Sequence, residues 1–254
     1  MTHADIYTRL SGTTGSSAAG QSIAAATAAA PVYSTNWIDL DAGGSLRTKR
    51  ELRDIFAEFW FTTLVDSATN TATLDLELVM VPTTAPATPT LAAFNNTSDV
   101  AATVITSAAH GLIDGTRITV AQTSGTLNTG SGYAVSTNLY IVNATTNTFG
   151  VSATPGGAAI SLTDQTGTTT VTWYPEIIGA ASKQPLERLT ASAARVPVRI
   201  NPIPVGQPGY PVHRYLFARY VPTANLTAGV AFCDLKPSIA MSNQPINANN
   251  YTTA

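Results

Sequence analysis

Charge is what this chain has least of. Its 254 residues include 13 Lys and Arg and 15 Asp and Glu, 11% of the sequence, against roughly 25% in an average soluble domain. The net charge of −2 offers no basic face on which a nucleic-acid backbone could be neutralised. Cys233 is the single cysteine, which excludes an internal disulfide framework and any multi-cysteine zinc site. No run of ~18 apolar residues occurs, so nothing reads as a membrane-spanning helix. The three histidines, His3, His110 and His213, stand far apart, without the His-x-x-His or His-Glu-x-x-His spacing of a metal site. A Gly-x-Ser-x-Gly elbow and a phosphate-binding Gly-x-x-x-x-Gly-Lys-Ser/Thr loop are both missing. These absences argue against an enzyme, a membrane protein and a nucleic-acid binder, and no cofactor is expected.

What the chain does have is threonine and alanine, 40 and 39 residues, with 18 Gly and 15 Pro. This is a small-residue, β-tolerant composition. At roughly 150 residues per domain, the length fits one or two domains. A free monomer stays soluble partly through surface charge. A chain that coats itself with Thr, Ser, Asn and Ala instead reads as one that works assembled. The competing reading is an extracellular β-protein with a neutral polar coat.

Residues 1–35 are a low-complexity lead, uncharged from Ser11 to Ala30. With Arg9 alone as a basic region and an Ala-rich core broken by Thr, Ser and Gln, it does not read as a secretory leader. Gly12, Gly15 and Gly20 oppose a long helix. An N-terminal arm that orders only against a partner is the expectation. Residues 36–90 form the first block. Trp37–Leu40 is a short strand. Ile55–Val65 is apolar on both alternating faces, as in a strand covered on both sides by a second sheet or another subunit. Thr71–Val81 alternates, with Leu74, Leu76, Leu78 and Met80 inward and Thr73, Asp75 and Glu77 outward. Residues 82–89 carry three prolines and act as a linker.

Composition shifts at 91–172. This stretch holds only four charges, Asp99, Asp114, Arg117 and Asp164. Short β-runs recur over 102–106, 117–121, 138–143, 148–153 and 168–172, divided by turn residues. It reads as an inserted β-domain of about 80 residues, enough for a modest core. Residues 173–235 resume the earlier style. Arg195–Ile200 is a strand weakened by Pro197, hence an edge, and His213–Val221 and Thr227–Leu235 are two further strands. Residues 236–254 form a C-terminal arm. The expected fold is all-β: a sandwich built from 36–90 and 173–235, interrupted by 91–172 and flanked by extended arms.

Several of these segments carry a resemblance. Trp37-Ile-Asp-Leu40, Phe61-Thr-Thr-Leu-Val65, Leu74–Val81, Arg195-Val-Pro-Val198 and Arg214-Tyr-Leu-Phe-Ala-Arg-Tyr220 with Ala228-Gly-Val-Ala231 resemble the Bbp16-like capsid cement (decoration) proteins of tailed bacteriophages, over about half the chain. The resemblance implies a jelly-roll-like sandwich on the outer capsid surface of a virion. It implies a homo-oligomer, dimer or trimer, that clamps neighbouring major capsid proteins of an HK97-type shell. The 91–172 insertion departs from compact members. Its own wording, Ala109-His-Gly-Leu112, Leu139-Tyr-Ile-Val-Asn143, Asn147-Thr-Phe149 and Thr154-Pro-Gly-Gly157, resembles a small β-module of phage virion proteins.

Side chains that could carry chemistry mostly have simpler roles. His110 reads as a turn residue and His213 as a strand-end or interface residue, while Cys233 reads as a buried inert thiol. Asp39 with Asp41, and Asp75 with Glu77, each share one strand face; the latter pair reads as the solvated side of a half-buried strand rather than two carboxylates across a cleft. The basic cluster Arg47, Lys49, Arg50 and Arg53 stands out. It is either a solvated turn or a set of arginine contacts to acidic patches of a partner. Phe59 and Trp60 on the two-faced strand, with Arg214 and Arg219, complete the interface candidates. Neither a nucleic-acid nor a membrane partner is expected. The alternative function is a phage tail or receptor-binding accessory module in which 91–172 recognises a host glycan or protein.

Overall fold

A computed structural model of the chain describes residues 9–12, 20–40, 55–69, 71–84, 86, 94–95, 104–122, 126–127, 139–160, 165–166, 168–190, 195–200 and 213–237. The fold is all-β and consistent with a β-sandwich. One 3-10 turn, Leu186–Arg188, is the sole helical segment among the described residues. The chain divides into two compact units, one of residues 1–79, 177–203 and 216–254, the other of 80–176 and 204–215.

The first unit holds β1 (Arg9–Ser11), β2 (Gln21–Ser22), β3 (Val32–Tyr33), β4 (Ile38–Asp39), β5 (Ile55–Ser67) and β6 (Thr73–Val81) as far as Val79. Late in the chain it adds β15 (Glu176–Pro185) from Ile177, β16 (Val196–Arg199), β17 (Tyr215–Pro222) from Leu216, and β18 (Leu226–Pro237). One sheet has the order β1-β18-β5-β16, with β2 also on β18; the other has the order β15-β6-β17-β3, with β4 also on β17. Cys233 lies opposite Phe59 and Leu235 opposite Ala57, while Val198 faces Ala57 from the other side. These residues share the inner face of the first sheet, and all are at most 2% exposed. From the second sheet come Leu74, Leu76 and Leu78, with Leu216, Ala218 and Tyr220, all fully buried. The Tyr220 ring meets Phe59 edge-on at 5.8 Å, and its hydroxyl donates to Ser11 Oγ at 2.7 Å. Each such fully buried large side chain is worth about 1.5–3 kcal/mol of transfer free energy, and the Tyr hydroxyl is accommodated because it has a partner.

The inward set Leu74, Leu76, Leu78 and Met80 matches expectation, each at most 1% exposed. Glu77 does not match the expected solvated face. It is 6% exposed and paired to Arg219 at 2.6 Å, so the outward side of β6 is covered by its neighbour's arginine. The expected N-terminal arm is also corrected over its described part. Leu10, Ile23 and Ala26 are fully buried, and β1, β2 and β3 extend the chain's own sheets. Arg9 lies opposite Asp234, Ser11 opposite Cys233, and Gln21 opposite Ala231. β1 and β2 therefore both pair with β18, on the side away from β5. Likewise Lys236, expected in the C-terminal arm, belongs to β18 and is 8% exposed. Residues 238–254 and 1–8 lie outside the described residues.

The second unit holds β7 (Phe94–Asn95), β8 (Ile105–Thr106), β9 (Arg117–Gln122), β10 (Thr126–Leu127), β11 (Leu139–Val142), β12 (Thr148–Ser152), β13 (Gln165–Thr166) and β14 (Thr168–Trp173). Six of these form one antiparallel sheet, β7-β14-β9-β11-β12-β8, and β10 pairs with β13. Ile118, Ile141, Phe149, Val151 and Val171 are fully buried in it. Its turns are tied by side chains. Asp114 Oδ1 accepts from Ala144 N at 2.7 Å, and Asn147 Oδ1 accepts from Ala109 N at 3.0 Å. Ala109 and Gly111 take φ of +50° and +67° around His110. That turn brings the His110 ring against Phe149 and lets Nδ1 accept from Leu112 N at 3.0 Å. Asp114, Asn147 and His110 thus each close a neighbouring loop with a side chain.

Candidate interaction surface

The outer face of the first sheet gathers a cluster of charged and aromatic side chains. Strand alternation places Glu58 and Trp60 of β5 on the side opposite Phe59. In register with them stand Asp234 and Phe232 of β18, opposite Glu58 and Trp60 respectively. The Trp60 and Phe232 rings stack at 3.9 Å and 7°. Arg9 forms a two-point ion pair with Asp234, Nε to Oδ1 at 2.7 Å and a second guanidinium nitrogen to Oδ2 at 3.1 Å. The Trp60 indole N–H also donates to Asp234 Oδ2, at 3.3 Å. The Arg9 guanidinium lies 4.9 Å from the Phe232 centroid and 5.7 Å from that of Trp60, and Arg195 lies 5.3 Å from the Trp60 centroid. Glu58 receives both Arg195 and Lys236. The result is a lattice in which two carboxylates each bridge strands and two guanidinium groups flank an indole. Such cation–π contacts are worth ~0.5–2 kcal/mol each, more where water is excluded.

Glycine keeps this face covered at one point. A Cβ on Gly20 would sit 2.4 Å from Val230 Cγ1 and 2.5 Å from Phe232 Cε2. Only a residue without a side chain lets the chain entering β2 lie against the Phe232 ring. On the outer side of the second sheet a smaller cluster repeats the theme. Trp37, 44% exposed, stacks on Phe217 at 6.0 Å, and Tyr33 meets Phe217 edge-on at 6.2 Å. Arg219 bonds Glu77 and lies 5.9 Å from the Tyr33 centroid.

The expected interface residues divide clearly. Trp60 is half-buried at the centre of the first lattice, and Arg219 anchors the second. Arg214 is exposed, its guanidinium 5.3 Å from the Tyr215 ring. Phe59 is fully buried beneath Tyr220, so it is a core residue and not a surface offered to a partner. Arg47, Lys49, Arg50 and Arg53 lie outside the described residues. Sequence reading missed Arg9, Glu58, Asp234 and Lys236 as members of the lattice. The only signal for them was parity with Trp60 on β5 and with Phe232 on β18, and no spacing rule joins Arg9 to Asp234.

The titratable groups of interest are buried. Burial pushes the Cys233 thiol well above its ordinary range, with Asp234 and Glu58 adding to it; a thiol held protonated is a poor nucleophile. His213 is 1% exposed, and neither ring nitrogen has a hydrogen-bond partner among the described residues. Burial pushes its pKa down to about 3. Among the described residues no three His, Cys, Asp or Glu side chains gather where they could hold a metal ion. No protein-family model, curated protein or solved structure matches the chain.

Proposed function

We propose that this chain is a structural, non-catalytic virion protein that binds the outside of an HK97-type phage shell and clamps adjacent major capsid proteins. The observation that carries the reading is the lattice around Trp60. Tryptophan, tyrosine and arginine dominate the energetics of protein interfaces. Here the ring stack and the ion pairs already fix those side chains, which lowers the entropy cost of docking. A second support is the wording of β5, β17 and β18, which resembles capsid cement proteins. A third is the scarcity of charge, which suits a chain that works within an assembly. Binding to the assembled shell and not to separated subunits would stabilise the shell by mass action. A contact of order 1,000 Å² per subunit, repeated over the lattice, is sufficient.

The test adds the purified protein to shells lacking it and images the particles by cryo-electron microscopy. Density repeated at local symmetry axes over the outer surface is expected. Arg195→Ala, which removes the half-exposed member of the lattice, should reduce that occupancy while the protein stays folded. Bare shells would end the reading, and density at the tail vertex alone would replace it with a receptor-binding accessory role.

A further inference from the structure

We propose that the outward face of β16 and β5 docks a carboxylate-bearing protein surface, with Arg195 and Arg199 as the docking cations. This names the partner chemistry of the surface around Trp60 and rests on the reading above. Val196 lies opposite Phe59, Pro197 opposite Glu58 and Arg199 opposite Phe56. Alternation therefore sends Arg195, Pro197 and Arg199 to the side that carries Glu58 and Trp60. All three are exposed. The Arg195 guanidinium stands 5.3 Å from the Trp60 centroid. Arg199 follows four residues later, about 13 Å away at the rise of a strand.

Depth sets the sign of the charge that a partner meets here. The side chains of Glu58 and Asp234 are 17% and 14% exposed, against 49% for Arg195. Glu58 also serves Lys236, so Arg195 holds only a share of that carboxylate. Arg199 has no hydrogen-bond or ion-pair partner among the described residues. The next carboxylate along β5, Asp66, lies six residues past Trp60, about 20 Å away, and its Oδ1 accepts from Ser67 N at 2.8 Å. Among the described residues the acids of this face thus lie low and the arginines stand above them.

A guanidinium takes a carboxylate through two parallel N–H bonds, which gives direction as well as attraction. Arg199 breaks no existing bond when it does so. Trp60 lies beside Arg195, and tryptophan and arginine together are the residue types that concentrate binding energy at protein interfaces. A nucleic-acid backbone fits poorly. It is held by roughly 6–10 phosphate contacts in a typical binder, and this chain carries a net charge of −2. A protein surface with carboxylates about 13 Å apart matches the two arginines, as acidic residues four apart on an extended strand would be.

The experiment measures binding of the full-length protein to undecorated shells by co-sedimentation, in low and in high salt. The unaltered protein should bind roughly tenfold or more weakly at ~1 M salt than at ~0.1 M, because the screening length falls from ~10 Å to ~3 Å. Arg195→Glu and Arg199→Glu should each weaken binding at low salt by a similar factor, since each sets like charges face to face. Arg199→Lys, which keeps the charge and loses the fork, should fall between. Arg199→Glu removes no contact within the fold, so its circular dichroism should match the parent's. Decoration indifferent to salt and to both reversals overturns this inference and leaves the cement reading standing. Bare shells remove the cement reading, and titration with poly-L-glutamate then decides. Binding that the two reversals abolish upholds the carboxylate site, and its absence overturns it. Duplex DNA that displaces the protein from shells or from poly-L-glutamate as well as a carboxylate polymer does also overturns it, in favour of a site for any polyanion.

Discussion

His213 makes the stability of the protein depend on pH in a direction that follows from its burial. Its ring is 1% exposed with both nitrogens unpartnered among the described residues. Burial lowers its pKa from 6.5 to about 3. The neutral ring is therefore favoured by the folded state, and the unfolded chain binds the proton first. Stability is complete above the unfolded pKa and declines as pH falls through it, levelling where the folded state also takes the proton. At ~1.4 kcal/mol per pH unit, the loss between neutral pH and about pH 5 is roughly 2 kcal/mol. The perturbation is His213→Phe, which keeps a ring of similar size and removes the titration. Urea unfolding of both proteins, followed by far-UV circular dichroism at neutral pH and at about pH 5, gives the difference directly. Carboxylate titrations common to both proteins cancel in it. The parent should lose about 2 kcal/mol more than the variant over that interval. Parallel losses would mean that His213 takes its proton in the folded state as readily as in the unfolded one, and the argument from burial would fail.

Two further outcomes test the packing. Gly20→Ala drives a methyl group into Val230 and Phe232, and should lower stability by about 1–3 kcal/mol in thermal or chemical unfolding; an unchanged midpoint would show that the β2 entry moves aside freely. Cys233, fully buried with its thiol pushed up, should resist a thiol reagent in the native protein and react promptly once urea unfolds the chain. Rapid native labelling would contradict the placement of β18 against β5.

The strands were legible where local signals agreed. β5, β6, β9, β11, β12 and β14 all announced themselves by β-branched and aromatic runs bounded by turn residues, and β16 by an edge-type Pro197. β15 was not legible. Its Ile-Ile-Gly-Ala-Ala-Ser core is short of apolar alternation, and its place is set by β6 on one side and the β16 backbone beneath Gly179. The N-terminal strands were misread as an arm for a related reason. Leu10 and Ile23 sit in Ala-, Ser- and Thr-rich stretches with no periodicity, and they become core residues only because β18 offers an edge. Glu77 reads as solvated by alternation alone; Arg219, 142 residues away, makes it a buried partner. Of the interaction surface, Trp60 was visible as an aromatic on a two-faced strand. The carboxylates and cations around it were not, because Arg9 and Asp234 stand 225 residues apart and meet only through register.

The break between β1 and β2 has a consequence for how this chain tolerates change. Ser11 and Gln21 face Cys233 and Ala231, neighbours but one on the same strand. The ladder is therefore continued by two short pieces, with nine residues of sequence between Ser11 and Gln21. The cost of such a connection is the entropy of closing a loop between two nearby fixed points, which grows by only about 0.6 kcal/mol for each doubling of length. The connection is therefore a place where sequence can lengthen, diversify or carry an added peptide while both anchors keep their pairing, so that the edge of the sheet and the surface built on it are insulated from what is inserted between them.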